Sequence, residues 1–200
     1  MPTPGDALIE SLAARGYAVE RDALAPDVVT GLRDRARALD RAGGLTPAAV
    51  GRAAGRMQRR DVRGDRIAWL EASPRNEAER RLGEWLEALR KRCNRELMLG
   101  LAEIEAHYAV YSPGERYARH RDRFRDDDAR VLSCVLYLND GWTAADGGAL
   151  RLYTEQGEID VMPEGGTFVA FLSAGFEHEV LPAGRERATV AGWFRRRVLV

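Results

Sequence analysis

The chain has 200 residues, 45% of them apolar and 31% charged, with a formal net charge of zero. That is long enough for one domain with a substantial core, and the charge balance gives no global field to draw nucleic acid or a membrane surface. No stretch approaches the roughly 20 apolar residues of a membrane-spanning helix, and residues 1–6 lack the basic and apolar runs of a signal peptide.

Arginine supplies every basic residue except Lys91, which reads as codon bias of a GC-rich genome more than as function. Cys93 and Cys134 sit in apolar-patterned segments. Free thiols in a reducing cytoplasm are expected, not a disulfide framework.

In chain order, residues 7–15 read as a short helix with Leu8 and Leu12 on one face and Gly16 as its stop. Residues 17–19 suit a short strand. Pro26 suits the first turn of a helix to about residue 39, with Val29, Leu32, Ala36 and Leu39 on the buried stripe; Gly43 and Gly44 end it. Residues 46–65 lack periodicity and carry Arg52, Arg56, Arg59, Arg60 and Arg63 between glycines. A loop that long in a compact domain is usually functional or disordered, so a mobile loop is expected here. Residues 67–70 form the next strand, with Trp69 expected in the core. Residues 77–93 are a helix with Leu82, Trp85, Leu86 and Leu89 on one face.

From residue 105 the texture changes to short strands: 106–111, 117–120, 131–138, 149–153, 158–161, 167–172, 178–181 and 188–196. Turn-forming Gly, Pro, Asn and Asp separate them. A helical layer followed by such strands predicts an α+β, mainly β chain. The expected fold is a jelly roll, a cupin-like double-stranded β-helix over residues 105–196, with N-terminal helices packed on one sheet. Residues 1–104 supply the helical support, and residues 1–200 make one domain.

Residues 117–122 (YARHRD) place His120 and Asp122 two apart. In extended chain such residues point to the same side, so an imidazole and a carboxylate converge. Of the three histidines, His178 lies in another strand-like run. His120, Asp122 and His178 would complete a 2-His-1-carboxylate facial triad, the geometry of non-heme Fe(II) oxygenases. Arg187 opens the last apolar strand. Aimed into a cavity, its guanidinium would hold the far carboxylate of a 2-oxo acid by a bidentate fork.

Residues 111–122 (YSPGERYARHRD), 134–139 (CVLYLN), 147–151 (GGALR), 178–180 (HEV) and Arg187 together resemble the 2-oxoglutarate/Fe(II)-dependent dioxygenases. Among these the chain is most similar to the hypoxia-inducible-factor prolyl hydroxylases and their bacterial prolyl 4-hydroxylase relatives. Residues 61–71 (DVRGDRIAWLE) are similar to the segment that follows the mobile substrate loop there.

The resemblance implies that His120, Asp122 and His178 bind iron and that Arg187 pairs with the C5 carboxylate of 2-oxoglutarate. Tyr137 would hydrogen-bond that carboxylate, Tyr111 would lie beside the cosubstrate, and Val135 and Leu150 would line its pocket. Arg130 and Trp193 match positions near the target proline, and Arg63 and Asp65 fall on the substrate side. His107 stands where relatives often carry an apolar residue, and Ala191 replaces a polar one.

The implied reaction hydroxylates a prolyl residue in a protein, using Fe(II), 2-oxoglutarate and O2, with ascorbate as a further requirement the resemblance raises. Succinate and CO2 are the co-products. The expected partner is a protein, such as a translation or transcription factor, with no membrane or nucleic-acid partner. The alternatives are the same chemistry on a free amino acid, another protein side chain or an alkylated nucleobase, and a non-catalytic metal or small-molecule binding module. Residues 46–65 are expected to act as a lid that orders over a protein substrate.

Overall fold

The computed structural model describes residues 4–49, 62–122 and 129–197. The heart of the expected lid, residues 50–61 with Arg52, Arg56, Arg59 and Arg60, lies outside the described residues.

Three helices form one layer: α1 (Asp6–Arg15), α2 (Pro26–Arg41) and α3 (Glu77–Leu97). Gly16 closes α1 at φ 73°, its N–H bonded to Leu12 O; only a residue without Cβ takes that conformation freely. Pro26 opens α2, whose buried face is Val28, Val29, Leu32 and Ala36. Leu39 stays half-buried because Val28 pairs with Leu32 at i+4 and shifts the stripe toward the N-terminus. Asn76 caps α3 by accepting from the Glu79 N–H at 2.8 Å. This helix runs to Leu97, past the expected end at Cys93, because residues 94–97 contain no breaking residue. Asn94 then clasps Leu101 through both its amide groups, at 2.7 and 2.8 Å. Among the described residues no helix is long and apolar enough to cross a membrane.

The strands are β1 (Tyr17–Glu20), β2 (Thr46–Pro47), β3 (Arg66–Trp69), β4 (Glu103–Tyr111), β5 (Tyr117–His120), β6 (Arg130–Tyr137), β7 (Leu150–Thr154), β8 (Gly157–Val161), β9 (Phe168–Leu172), β10 (Glu177–Val180) and β11 (Arg187–Arg195). They form a seven-stranded sheet in the order β1-β9-β6-β11-β4-β3-β2 and a four-stranded sheet in the order β5-β10-β7-β8. This is the expected jelly roll. The N-terminal half does more than support it, since β1, β2 and β3 extend the larger sheet. Thr46 and Pro47, expected in a loop, pair with Ile67 and Arg66 at the sheet edge, where a proline costs no ladder bond.

Both faces of the larger sheet are buried, so its strands read as near-continuous apolar runs. One face, with Leu132, Cys134, Leu136, Phe168, Ala170, Val190 and Phe194, packs on the helices. The other, with Ala109, Tyr111, Tyr137, Val169 and Phe171, faces Leu150, Leu152, Val161 and Val180 of the smaller sheet. The period of 2 along each strand assigns odd and even residues to these two cores. Gly192 permits a close approach of β11 to β4: a Cβ there would stand 2.7 Å from Glu105 O. Trp85 is core as expected, but Trp69 is 45% exposed. It ends β3, which among the described residues has only the two-residue β2 outside it.

Candidate active site

Strands β5 and β10 are antiparallel neighbours, and their register sets His120 directly opposite His178. The two rings lie 4.2 Å apart. Asp122 follows β5 and brings its carboxylate between them, with Oδ1 3.5 Å from His120 Nε2 and Oδ2 3.6 Å from His178 Nε2. One ligand atom from each residue falls within 4.8 Å of the others. His120 Nδ1 lies 2.8 Å from Ala118 O, so it carries the proton and leaves the Nε2 lone pair free toward the centre. His178 Nδ1 faces Phe176 O at 3.4 Å.

Asp122 is held from the other sheet. Ser133 Oγ on β6 donates to its Oδ2 at 2.7 Å and lies 2.8 Å from Ser173 Oγ. Burial would raise the Asp122 carboxyl, but His178 and His120 beside it and the Ser133 hydrogen bond prevail and hold it well below the usual carboxylate range. Burial pushes His178 down to about 4. The centre therefore offers two imidazole nitrogens and one carboxylate, an N2O donor set suited to a divalent transition metal.

Sequence periodicity misses Ser133 and Tyr117. Ser133 is a lone hydroxyl between Leu132 and Cys134, and only the packing of two sheets brings it to Asp122. Tyr117 stacks on His120 at 3.6 Å between centroids, although alternation puts residues three apart on opposite faces. The register shift between His178 and Val180 explains it: two residues on β10 span three on β5. Such a bulge reverses the alternation locally.

Arg187 begins β11 opposite Tyr111. It is 2% exposed, and among the described residues it has no carboxylate partner. Its guanidinium carbon is 5.2 Å from the ring centres of both Tyr111 and Tyr137. Arg187 Nε and Tyr137 Oη are both buried without a hydrogen-bond partner. A buried guanidinium with no acid beside it is costly unless an anion completes it. That arrangement suits an incoming carboxylate.

Arg187, Tyr111, Val135, Leu150 and the three candidate ligands line one cavity. Tyr137 is fully buried beside Arg187 and is not among the residues lining the cavity. Ala191, Trp193, Arg63 and Asp65 also line it. Arg63 donates to both Asp65 oxygens, at 2.6 and 2.7 Å, and lies over the Tyr117 ring. Asp65 is thus fully occupied by a neighbour that braces the His120 side. Arg130 stands one layer back, 3.6 Å over the Trp193 ring and paired with Glu105.

Two expected results follow from these surroundings. Removing the Asp122 clamp by Ser133→Ala should weaken Fe(II) binding about tenfold, as loss of an orienting partner does at metal sites. Anaerobic Fe(II) titration reads this, and unchanged affinity would show that Asp122 needs no clamp.

The second concerns His107, whose burial pushes its pKa down to about 3. Its folded value lies below the unfolded one, so stability is full above about pH 6.5 and falls as pH drops toward 3. His107→Phe should therefore lose about 2 kcal/mol less than the parent between pH 6.5 and pH 5. Urea midpoints at the two pH values measure the difference, and equal losses would place the acid sensitivity elsewhere.

A profile described as the 2OG-Fe(II) oxygenase superfamily matches residues 106–195. The chain is 33% identical over 145 residues to human Egl nine homolog 1, a match covering 68% of this chain and 33% of that protein. It is 30% identical over 148 residues to the Caenorhabditis elegans hypoxia-inducible factor prolyl hydroxylase, covering 68% and 20% respectively. The chain spans a third or less of the length of these two relatives.

Among solved structures, a Pseudomonas putida prolyl-4-hydroxylase superposes with a TM-score of 0.88 at 44% identity, over 96% of this chain and 98% of that one. A Trichoplax adhaerens prolyl hydroxylase, in complex with a hypoxia inducible factor oxygen degradation domain peptide fragment, gives 0.86 at 26% identity, over 95% and 88%.

Proposed function

This chain belongs to the 2OG-Fe(II) oxygenase superfamily, and from that premise we propose that it hydroxylates a prolyl residue in a protein, converting 2-oxoglutarate to succinate and CO2. The observation that carries the reading is the buried Arg187, without an acid beside it among the described residues, lining the same cavity as His120, Asp122 and His178. A metal triad alone fits many oxygenases and binding modules. A triad facing a lone buried guanidinium fits one that takes a dicarboxylic cosubstrate.

His120, Asp122 and His178 would hold Fe(II). Arg187 would receive the far carboxylate of 2-oxoglutarate, with the unpaired Tyr137 hydroxyl as a second donor. When bound, the metal supplies the redox chemistry that joins decarboxylation to insertion of one oxygen atom of O2 into a C–H bond. The chain's own work is positioning. Ser133 fixes Asp122, the Ala118 carbonyl fixes the His120 tautomer, and Val135, Leu150, Phe171 and Val180 keep the cosubstrate wall apolar.

The target class rests on the Pseudomonas putida and Trichoplax adhaerens likenesses, and a translation or transcription factor is the finer reading. The buried free thiols Cys93 and Cys134 support a cytoplasmic setting. Ascorbate enters as the reductant that keeps the iron ferrous.

The test incubates the enzyme, Fe(II), 2-oxoglutarate and ascorbate with a bacterial lysate and maps prolyl residues that gain one oxygen atom. Succinate release coupled to hydroxyproline in a protein is expected. Release coupled only to free amino acids or oligonucleotides would move the assignment to another oxygenase class. No release with any pool would leave a binding module.

A further inference from the structure

Strand β11 runs along the cavity, which Arg187, Thr189, Ala191 and Trp193 all line. Its neighbours β4 and β6 give each of these a level. Arg187 pairs with Tyr111 at one end. Toward the other, Trp193 pairs with Ser133, the residue that holds Asp122. Ala191, two residues before Trp193, pairs with His107 on β4 and Val135 on β6. His107 therefore lies toward the candidate metal end, about 13 Å along the sheet from the Arg187 level.

The mechanism so far leaves His107 unused, and its surroundings do not explain it as packing. It lines the cavity, is 1% exposed, and its Nδ1 is buried without a hydrogen-bond partner among the described residues. Leaving such an atom unpaired is costly, and Val135 and Ala191 in its row are apolar. The ring is held between two indoles, with Trp69 4.9 Å and Trp193 5.4 Å from it between centres. Trp193 Nε1 is likewise buried and unpartnered.

An indole N–H only donates. Burial pushes the His107 pKa down to about 3, so its ring is neutral and carries one N–H. This level of the cavity thus suits acceptor oxygens, as Arg187 Nε and Tyr137 Oη do at the other end. A 2-oxo diacid bears acceptor oxygens at both ends. With its far carboxylate on Arg187, its 2-oxo acid end points toward His107.

We infer that His107 is a cosubstrate-binding residue that donates a hydrogen bond to the carboxylate at the 2-oxo acid end of 2-oxoglutarate. The inference rests on the cosubstrate reading above and adds a contact at the end opposite Arg187.

The experiment is calorimetric titration of the Fe(II)-loaded protein with 2-oxoglutarate in the absence of oxygen. His107→Phe keeps a ring between the indoles and removes both nitrogens, and it should raise the Kd about tenfold, the loss of one hydrogen bond to a charged group. Fe(II) affinity without 2-oxoglutarate should stay as in the parent. His107→Gln should bind 2-oxoglutarate more tightly than His107→Phe, because it restores a donor, whereas a packing role would favour the ring. The loss should be the same in an Arg187→Lys background, since contacts at opposite ends of a ligand add. An unchanged Kd in His107→Phe, tighter binding by His107→Phe than by His107→Gln, or a loss that vanishes in the Arg187→Lys background overturns the inference. If the parent itself binds no 2-oxoglutarate, it is the cosubstrate reading that fails.

Discussion

His120→Ala, Asp122→Ala and His178→Ala should each lower 2-oxoglutarate turnover by roughly three orders of magnitude or more and strip most of the bound iron. Three protein ligands would hold the metal, and Fe(II) sits low in the affinity order of divalent metals, so losing one ligand leaves little to retain it. The fold should survive. His120 is on an edge strand, Asp122 follows that strand, and neither belongs to the cores that join helices to sheet or sheet to sheet. Bound iron per chain, succinate release and a circular-dichroism melt separate loss of metal from loss of structure. Full activity in any one variant, with iron supplied, would remove that residue from the triad.

Arg187 should govern cosubstrate affinity in a graded way. Its planar fork offers two parallel hydrogen bonds to a carboxylate, and an ammonium offers a point charge on a differently placed stem. Arg187→Lys should raise the KM for 2-oxoglutarate by about tenfold or more, the 1.4 kcal/mol of one decade. Arg187→Met should raise it by about a hundredfold or more, because the incoming carboxylate then meets no cation in a buried site. The same variant should melt higher than the parent when no cosubstrate is present, since an apolar side chain replaces a lone buried charge. The two opposite shifts, weaker affinity and a more stable free protein, are hard to obtain from general damage. An unchanged KM with impaired protein-substrate binding would put Arg187 on the substrate side of the cavity.

The eight strands from residue 105 onward and the three helices were legible from periodicity, with ends displaced by a few residues where propensity names no stop. The His120–Asp122 pair was legible for the same reason: a period of 2 is a local property of extended chain. His178 and Arg187 could be named as chemistry without their distances.

Other features follow from contacts that no local pattern encodes. Thr46–Pro47 looks like loop because its strand character comes from pairing with residues 66–67, across the segment 50–61. Trp69 reads as core in an apolar run, yet among the described residues β3 has only the two-residue β2 beyond it. Leu39 reads as buried from its stripe, yet the stripe is centred one turn earlier.

By itself, then, the sequence determined which residues can alternate, cap, turn and ligate. Those are properties of dihedral preferences and of side-chain type within a few neighbours. Only the tertiary structure decided that His178 faces His120 in register, that a bulge turns Tyr117 onto the same ring, that Ser133 reaches Asp122 from the opposite sheet, and that Arg187 is buried without an acid. These depend on strand pairing and sheet packing between segments far apart in the chain. Their closure entropy is compensated by burial of the whole core and not by any local contact.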